Sequence, residues 1–214
     1  LLNYELGYKV SLLNNDAFIR SALFYMDRQD MQVNSSKTIT REDGSAEFIS
    51  YLGNAASGSN YGIEIESAWQ LNEVVNIYGS LGLLDTEFSD YVNAEGQSLT
   101  GREQAHAPNY QFNLGIELQP TENWLINLSL DGKDSFYFSD SHDQESDSIT
   151  LLNASISYIQ DNWQVKLWGR NLTDEEYANR GFYFGNDARD GYAPKQYSQL
   201  SEPLVFGANV NYQF

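Results

Sequence analysis

The chain ends in Leu204-Val205-Phe206-Gly207-Ala208-Asn209-Val210-Asn211-Tyr212-Gln213-Phe214, and this stretch decides the fold. Apolar residues alternate in it with mostly polar ones, which predicts a strand with one apolar and one polar face. A soluble protein gains little from such a strand at a chain terminus, where structure usually frays. A β-barrel in a membrane needs one, because its last strand must face lipid and close the ring.

The composition narrows the classes of function. The chain has 214 residues, no cysteine and a net charge of -18, with 30 acidic and 12 basic residues. The absence of cysteine removes disulfides and thiol chemistry. A chain this acidic has no basic stripe to neutralise phosphates, so we expect no nucleic acid as a partner. No apolar run approaches the roughly 18 residues that a membrane helix requires.

The terminal pattern recurs along the chain. Residues 4–12, 110–119 and 124–131 alternate between apolar and polar side chains almost without fault. We predict two longer strands at 17–38 and 46–71, the second irregular around 54–59. Further strands at 75–83, 148–159, 163–171 and 203–214 bring the number to about nine.

The connections between these strands alternate in length. Those at 13–16, 72–73, 120–123 and 160–162 are short, and those near 39–45, 89–107, 139–147 and 172–202 are longer. In an up-and-down meander every second connection lies on the same side, so all the short turns share one rim. Outer-membrane barrels have this asymmetry. The sequence therefore predicts an all-β, antiparallel up-and-down meander that is a segment of a transmembrane β-barrel.

Tryptophans mark the short-turn rim. Trp69 ends one predicted strand, and Trp124 and Trp163 begin two others, all at that rim and beside Tyr212 and Phe214. We expect them to form a periplasmic aromatic girdle. Trp168 has the opposite parity to Trp163 and should face the lumen.

The strand count suggests a longer protein. Single-chain bacterial barrels have even numbers of strands, and an unpaired sheet edge is not tolerated in lipid. The chain also starts at Leu1 rather than Met. We expect residues 1–214 to be the C-terminal barrel portion, with upstream strands lying outside this chain.

Ordered motifs give a family resemblance across nearly the whole chain. The sequence resembles the C-terminal part of TonB-dependent outer-membrane receptors. The motifs that carry the resemblance are Asn3-Tyr4-Glu5-Leu6-Gly7-Tyr8-Lys9, Phe24-Tyr25-Met26-Asp27 through Asp30-Met31-Gln32, Asn54-Ala55-Ala56 leading to Tyr61-Gly62-Ile63-Glu64-Ile65-Glu66, Ala107-Pro108-Asn109-Tyr110-Gln111-Phe112, Asn171-Leu172-Thr173-Asp174-Glu175-Glu176-Tyr177 and Tyr212-Gln213-Phe214.

The resemblance implies a full receptor of about 22 strands whose lumen is filled by an N-terminal plug domain. The inner-membrane TonB complex would pull on the plug, using energy from the proton gradient. The cargo would be a scarce nutrient such as a ferric siderophore, cobalamin or an oligosaccharide. The plug and the segment that contacts TonB are absent from this sequence. Outer-membrane lipid and lipopolysaccharide would surround the barrel. The barrel-assembly machinery would read the last strand through Phe206, Val210, Tyr212 and Phe214.

The connection at 172–202 is the candidate ligand-facing external loop. It carries aromatic rings that could stack on a ligand and cations that could hold an anionic group. The candidate residues are Tyr177, Arg180, Phe182, Tyr183, Arg189 and Tyr192. The alternative is that these side chains pack the loop onto neighbouring loops.

Other polar residues have plainer interpretations. The acidic stretch 139–147 could hold Ca²⁺, which takes six to eight oxygen ligands, but it lacks the glycine and spacing of a known calcium loop. A solvated external loop is the alternative. We assign no cofactor and no catalytic residue, because no nucleophile motif surrounds His106 or His142. Carboxylates of lumen-facing parity should line a wet interior, namely Glu64, Glu66, Glu117 and Asp131.

Two other classes remain open at this point. A passive porin-like barrel would have a complete, even-numbered ring and would conduct without an energy source. A soluble, secreted carbohydrate-binding β-sandwich would pack the Leu114 and Ile116 face against a second sheet. An outer-membrane enzyme is a remoter alternative.

Overall fold

The structure is a computed structural model that describes residues 1–42, 44–54, 57–93, 96–140 and 142–214. Its regular elements are almost all strands, joined by 3-10 turns at Leu13–Asn15 and Ala188–Asp190. The strands are β1 Leu2–Leu12, β2 Ala17–Arg28, β3 Gln32–Thr40, β4 Ala46–Asn54, β5 Ser57–Gln70, β6 Val75–Asp90, β7 Tyr110–Thr121, β8 Trp124–Lys133, β9 Ile149–Gln160, β10 Trp163–Arg170, β11 Ala178–Phe184, β12 Lys195–Leu200 and β13 Val205–Tyr212. No helix of the described residues is long and apolar enough to cross a membrane.

Nine of these strands form one antiparallel sheet in the order β1-β2-β5-β6-β7-β8-β9-β10-β13. Each strand of this main sheet pairs with its neighbour in the chain, once two separate hairpins, β3–β4 and β11–β12, are set aside. The predicted up-and-down meander is therefore confirmed. Connections 13–16, 71–74, 122–123 and 161–162 lie at one end of the sheet, and the longer connections lie at the other.

The longer connections differ from the prediction in detail. The predicted strand 17–38 is two strands, because the chain turns at Asp30, whose φ of +52° no extended strand contains. Residues 46–71 likewise divide into β4 and β5, and the expected irregularity falls partly on residues 55–56, outside the described residues. The stretch 172–202 is not an unstructured loop, since most of it is the β11–β12 hairpin.

One face of the main sheet is apolar and faces outward. Leu114 stands opposite Leu130, and Ile116 opposite Leu128, on neighbouring strands. Leu114 is 54% exposed, and Leu6 and Phe206 are each 72% exposed. Removing one such side chain from water contributes about 1.5–3 kcal/mol of favourable free energy, so an apolar surrounding would stabilise this face. No second sheet covers this face among the described residues, so the β-sandwich interpretation is wrong.

The opposite face is polar and concave. Asn113 stands opposite Asp131, and Glu66 opposite Ser80. The Arg20 Nη1 lies 3.2 Å from Glu66 Oε2, as an ion pair across β2 and β5. The register places every Lys and Arg of the nine strands on this face: Lys9, Arg20, Arg28, Lys133, Lys166 and Arg170. The polar face corresponds to the predicted lumen, and it carries the four carboxylates predicted to have lumen parity, Glu64, Glu66, Glu117 and Asp131.

Buried apolar side chains are few and lie away from the apolar face. Among the described residues they are Phe88, Tyr91, Phe136 and Phe138. All four lie at the end of the sheet that carries the long connections. The Phe88 and Tyr91 rings are 4.8 Å apart, with Met31 and Leu99 packed beside them. The sheet itself is thus held by strand pairing, and only its loop end has a small packed core.

We expect Leu114→Arg to destabilise a full-length receptor that contains this chain by about 2–4 kcal/mol, because the arginine would enter hydrocarbon near the bilayer midplane. Asn113→Arg is the matched control, since its guanidinium stays on the polar face and can still donate to Asp131. The measurement is the urea-dependent folding free energy of each variant in lipid vesicles. Equal losses for the two variants would contradict the assignment of faces.

Candidate functional site

The long connections meet at one end of the sheet and form the candidate site. They comprise residues 29–56 with the β3–β4 hairpin, 91–109, 134–148 and 171–204 with the β11–β12 hairpin. In the β3–β4 hairpin the side chains of 33–38, 46, 48 and 50–54 lie outside the described part. The described contacts of the site come from the other three connections. The polar face of the sheet forms its floor.

Arg102 joins two of these connections. It belongs to 91–109, and its Nη2 donates to the backbone oxygens of Ser139 at 3.2 Å and His142 at 2.5 Å in 134–148. Its Nη1 lies 3.3 Å from Asp143 Oδ1, and its guanidinium carbon is 4.2 Å from the centre of the Tyr137 ring. Only 11% of the side chain is exposed. This arginine therefore holds the two connections together as one unit.

A second contact fixes residues 91–109 to the sheet. The Gln104 backbone N–H donates to Thr86 Oγ1 at 3.0 Å, and its side-chain Nε2 donates to Asn60 Oδ1 at 2.9 Å. Its Oε1 accepts from Arg28 Nη1 at 3.3 Å. Gln104 thus links β2, β5 and β6 to the loop above them.

The β11–β12 hairpin packs against the same unit through one of its faces. Gly181 is covered by the Phe138 ring, leaving no room for a side chain there. The Tyr183 ring lies 5.8 Å from the His142 ring. The other face is exposed and carries Arg180, Phe182 and Phe184. Tyr183 thus contacts a loop and is still 42% exposed, and Phe182 is 49% exposed. Contact of these residues with a ligand stays a prediction.

The cations of the hairpin differ in their surroundings. Arg189 donates from Nε and Nη2 to the two carboxylate oxygens of Asp187, at 2.9 and 2.8 Å. Lys195 forms an ion pair with Asp190. Arg180 is exposed and has no ion pair with a described carboxylate. Tyr192 is also exposed and lies at the tip, with φ at +62°. Of the two predicted arginines, Arg189 is held by a described carboxylate and Arg180 is not.

Asn171 closes the base of this long connection. It is 3% exposed and adopts φ of +50°, a left-handed conformation that asparagine tolerates well. Its side chain donates to the backbone oxygens of Glu175 and Glu202 and accepts from the Glu175 N–H. Its own N–H donates to Asn153 Oδ1 at 3.0 Å. The loop therefore starts and ends at one buried amide.

The polar network continues from Asn153 across the floor. Asn153 Nδ2 donates to Asp131 Oδ2 at 2.7 Å, and Asn113 Nδ2 donates to Asp131 Oδ1 at 2.6 Å. Both oxygens of this carboxylate are thus occupied. The chain of contacts links β7, β8 and β9 to the base of the 171–204 connection.

The polar face carries an open hollow of about 800 Å³, which Asn113 and Asp131 of this network help to line. Small residues lie between larger ones at its floor, including Gly7, Ala22 and Gly82, and this size pattern leaves the space open. Tyr177, a predicted ligand-facing residue, lines the hollow together with Lys133. Lys133 was not predicted from the sequence. Because it lies two positions after Asp131 on the same strand, the alternation would have placed it on the same polar face.

The acidic stretch 139–147 has structural partners. Asp140 Oδ1 accepts from the Ala105 N–H at 2.9 Å, and Asp143 pairs with Arg102. Burial raises the pKa of Asp140, although the Ala105 N–H and the Arg102 charge act against this rise. No group of three or more His, Cys, Asp or Glu residues that could hold a metal is present in the described part of the chain. A Ca²⁺ ion in this stretch remains an untested prediction.

The two histidines have loop contacts. The His106 ring lies 5.4 Å from that of Phe136, and the backbone N–H of His106 donates to the backbone oxygen of Tyr137. His142 Nδ1 accepts from the Gln144 N–H at 3.3 Å. Burial lowers the pKa of His142, and the Arg102 charge lowers it further while Asp143 partly opposes this.

Comparison with known proteins agrees with this architecture. Residues 2–172 match the family model described as TonB dependent receptor-like, beta-barrel. This chain belongs to the TonB-dependent receptor family. That family is one of transport receptors.

Solved TonB-dependent receptors share the fold over nearly the whole chain. The ferric yersiniabactin uptake receptor FyuA from Yersinia pestis is 19% identical, with a TM-score of 0.75 over 99% of this chain and 29% of that one. The siderophore receptor PiuA from Acinetobacter baumannii is 17% identical, with a TM-score of 0.71 over 98% of this chain and 28% of that one. The copper transporter OprC is 14% identical, with a TM-score of 0.71, covering 99% and 31%. This chain spans less than a third of each of these receptors.

The short-turn rim of this barrel segment is aromatic. The Trp124 and Tyr158 rings are 4.8 Å apart, and the Trp163 and Tyr212 rings are 4.7 Å apart. Tyr212 also lies 4.9 Å from Phe214, the last residue. Trp69 is at the same rim, near the end of β5. Trp168 lies on the polar face, as predicted, where its Nε1 donates to Asn209 Oδ1 at 2.7 Å.

We expect Asn171→Ala to destabilise the full-length receptor by about 1–3 kcal/mol, because it leaves buried backbone groups at the loop base without partners. Hydrogen exchange of residues 172–204 should quicken with it. Thr173→Ala, at an exposed position of the same turn, is the control and should change neither quantity. An unchanged exchange rate in Asn171→Ala would show that the loop base is held by other contacts.

Acidification should loosen the contact between 134–148 and the β11–β12 hairpin. The pKa of His142 in the folded loop is below its ordinary value, so the unfolded loop binds more protons than the folded loop. The stability that neutral His142 contributes to the folded loop is therefore fully present above about pH 6.5 and is lost as pH falls through the folded pKa. The measurement is hydrogen exchange of residues 134–148 between pH 7.5 and 5.5, corrected for intrinsic rates. The His142→Gln variant should lack the pH-dependent part, and an identical pH profile in both proteins would contradict this role.

Proposed function

We propose that this chain is the barrel portion of an outer-membrane receptor that actively imports a scarce nutrient. The observation that supports this most is the pair of unlike faces on one sheet. The apolar face is exposed at Leu6, Leu114 and Phe206, so it requires an apolar surrounding that no described part of the chain supplies. The polar face, with every Lys and Arg of the nine strands of the main sheet, suits a wet lumen. An outer-membrane location is therefore part of the proposal.

The two edges of the sheet support a longer barrel. β1 and β13 each pair with one neighbour only among the described strands. In hydrocarbon the free edge of each would leave a row of backbone groups without partners, at several kcal/mol for each group. Further strands of the same receptor would pair with both edges and close the ring. A plug domain in the lumen and the TonB complex behind it would supply gating and energy.

The loop end is the proposed place of ligand capture. Its aromatic rings include the exposed Phe182 and Tyr192, and Arg180 offers a charge without a described partner. Tyr177 faces the hollow below. FyuA and PiuA are named for ferric yersiniabactin and siderophores, and OprC for copper. These relatives favour a metal chelate, with the ferric siderophore class first, over cobalamin or an oligosaccharide.

The opposite rim serves anchoring and assembly in this proposal. Trp69, Trp124 and Trp163 would sit at the periplasmic interface, where amphipathic rings are favoured. Phe206, Val210 and Tyr212 lie on the outward face of the final strand, and Phe214 follows two residues after it. These four residues would be read by the barrel-assembly machinery. Lipid and lipopolysaccharide would cover the apolar face above them.

The proposed function is tested by uptake in the cells that encode the receptor. Deletion of the full-length gene should abolish saturable uptake of at least one radioactive ferric chelate from a panel of catecholate, carboxylate and hydroxamate complexes. A protonophore should abolish the same uptake in wild-type cells, because the energy comes from the proton gradient. Non-saturable flux that persists with the protonophore and depends only on solute size would instead indicate a passive pore.

A further inference from the structure

Lys133 is a cation without a carboxylate partner in a very acidic chain. It is the last residue of β8 on the polar face, and it lines the hollow beneath the β11–β12 hairpin. Its Nζ lies 4.9 Å from the centre of the Phe136 ring and 5.9 Å from that of Tyr177. No carboxylate of the described side chains forms an ion pair with it, although six other cations of this chain have one.

Two acids of the same face that line the hollow, Asp131 and Glu64, are occupied or distant. Asp131, two residues earlier on β8, has its two oxygens in hydrogen bonds from Asn113 and Asn153. Glu64 is in the same register row as Lys133, but β6 and β7 separate their strands. Three inter-strand steps of about 4.8 Å place the two backbones roughly 14 Å apart. Lys133 is therefore without an ion pair among the described side chains.

The space between Lys133 and Glu64 is open. Gly82 occupies the row between Glu64 and Gln111, and a side chain added at Gly82 would meet only the Gln111 oxygen, at 4.0 Å. Gln111 and Asn179 supply neutral amides to the same wall. The hollow thus has an ammonium without an ion pair at one end, flanked by two aromatic rings and amide groups. The carboxylates of the hollow belong to Glu5, Glu64, Glu66 and Asp131. This arrangement matches an anionic oxygen group held by a cation, with aromatic faces against the rest of the molecule.

Lys133 also lies near the external end of the barrel wall, where a ligand would enter. It is nine residues beyond Trp124 at the short-turn rim. At about 3.3 Å for each residue and a tilt of about 45°, this corresponds to roughly 21 Å along the membrane normal. That is close to the outer edge of an apolar band about 25 Å tall. A ligand passing the β11–β12 hairpin would reach Lys133 first among the cations of the hollow.

We propose that Lys133 is a specificity-determining residue, which binds a carboxylate or similar anionic oxygen of the imported ligand in the hollow. The inference rests on the proposed function, because the site is of use only to a receptor. It assigns the ligand to the anionic class of chelates.

The experiment uses the full-length receptor purified in detergent and each ferric chelate of the uptake panel that the cells take up. Binding is measured by titration for the wild type, Lys133→Gln, Lys133→Arg and Lys166→Gln. Lys166 is the matched control, since it is a lysine on the polar face but lies outside the hollow. We expect Lys133→Gln to weaken binding at least about tenfold, which is the scale of one charge-assisted hydrogen bond. Lys133→Arg should keep most of the affinity, and Lys166→Gln all of it.

The outcomes separate the two proposals. Uptake of neutral chelates alone, or equal affinities of the wild type and Lys133→Gln, would overturn the role of Lys133 and leave the receptor function intact. A second result would also overturn the role of Lys133. In it, unliganded Lys133→Gln unfolds at a lower temperature than Lys166→Gln, while its affinity for the chelate is unchanged. The carboxylate that binds Lys133 would then belong to the receptor and not to the ligand. Uptake of no chelate by the wild type would overturn the receptor function and this inference with it.

Discussion

A strand that crosses hydrocarbon can satisfy its backbone hydrogen bonds only through the strands beside it, and this constraint shapes the whole molecule. The nine strands of the main sheet are paired in chain order, so each strand pairs with the strand of this sheet that precedes it and with the one that follows it. Strand pairing leaves two faces, and alternation of side chains makes one apolar and the other polar. The apolar face needs no packed core, because lipid takes its place. Among the described residues the few buried apolar rings, such as Phe88 and Phe136, lie at the loop end, where the chain is in contact with water and not with lipid.

The loop end is a built structure because three connections are tied to one another and to the sheet. Arg102 joins 91–109 to 134–148, Gln104 anchors the first of them to the strands, and Asn171 closes the base of the third. The β11–β12 hairpin then rests on this support at Gly181 and keeps its other face exposed. Such an arrangement ties the connections to one another and to the sheet, and it leaves one face of the hairpin exposed. Fixed loops around a polar floor are what a selective receptor requires.

The sequence predicted the fold better than the site, for a physical reason. Period-two alternation is a local signal, so the hairpin of β7 and β8 and the last strand could be read directly from their side chains. The break at Asp30 and the β11–β12 hairpin were missed, because neither depends on a lipid-facing pattern. Tyr177 was predicted at the ligand side and does line the hollow. Arg102, Asn171 and Lys133 were missed as site residues, because their roles depend on contacts with residues far away in the sequence. Arg102 contacts His142, 40 positions away, and Asn171 contacts Asn153, 18 positions away.

The central claim is that one side of each strand contacts hydrocarbon. This chain has no cysteine, so single cysteines can be placed along β7 at positions 112–118 of a receptor freed of any others and labelled with a nitroxide. The measurement is the collision rate of each label with oxygen and with a polar nickel chelate in lipid vesicles. Oxygen contact should peak at Phe112, Leu114, Ile116 and Leu118, and nickel contact at Asn113, Gly115 and Glu117. Rates without a period of two, or with the two sets exchanged, would contradict the account.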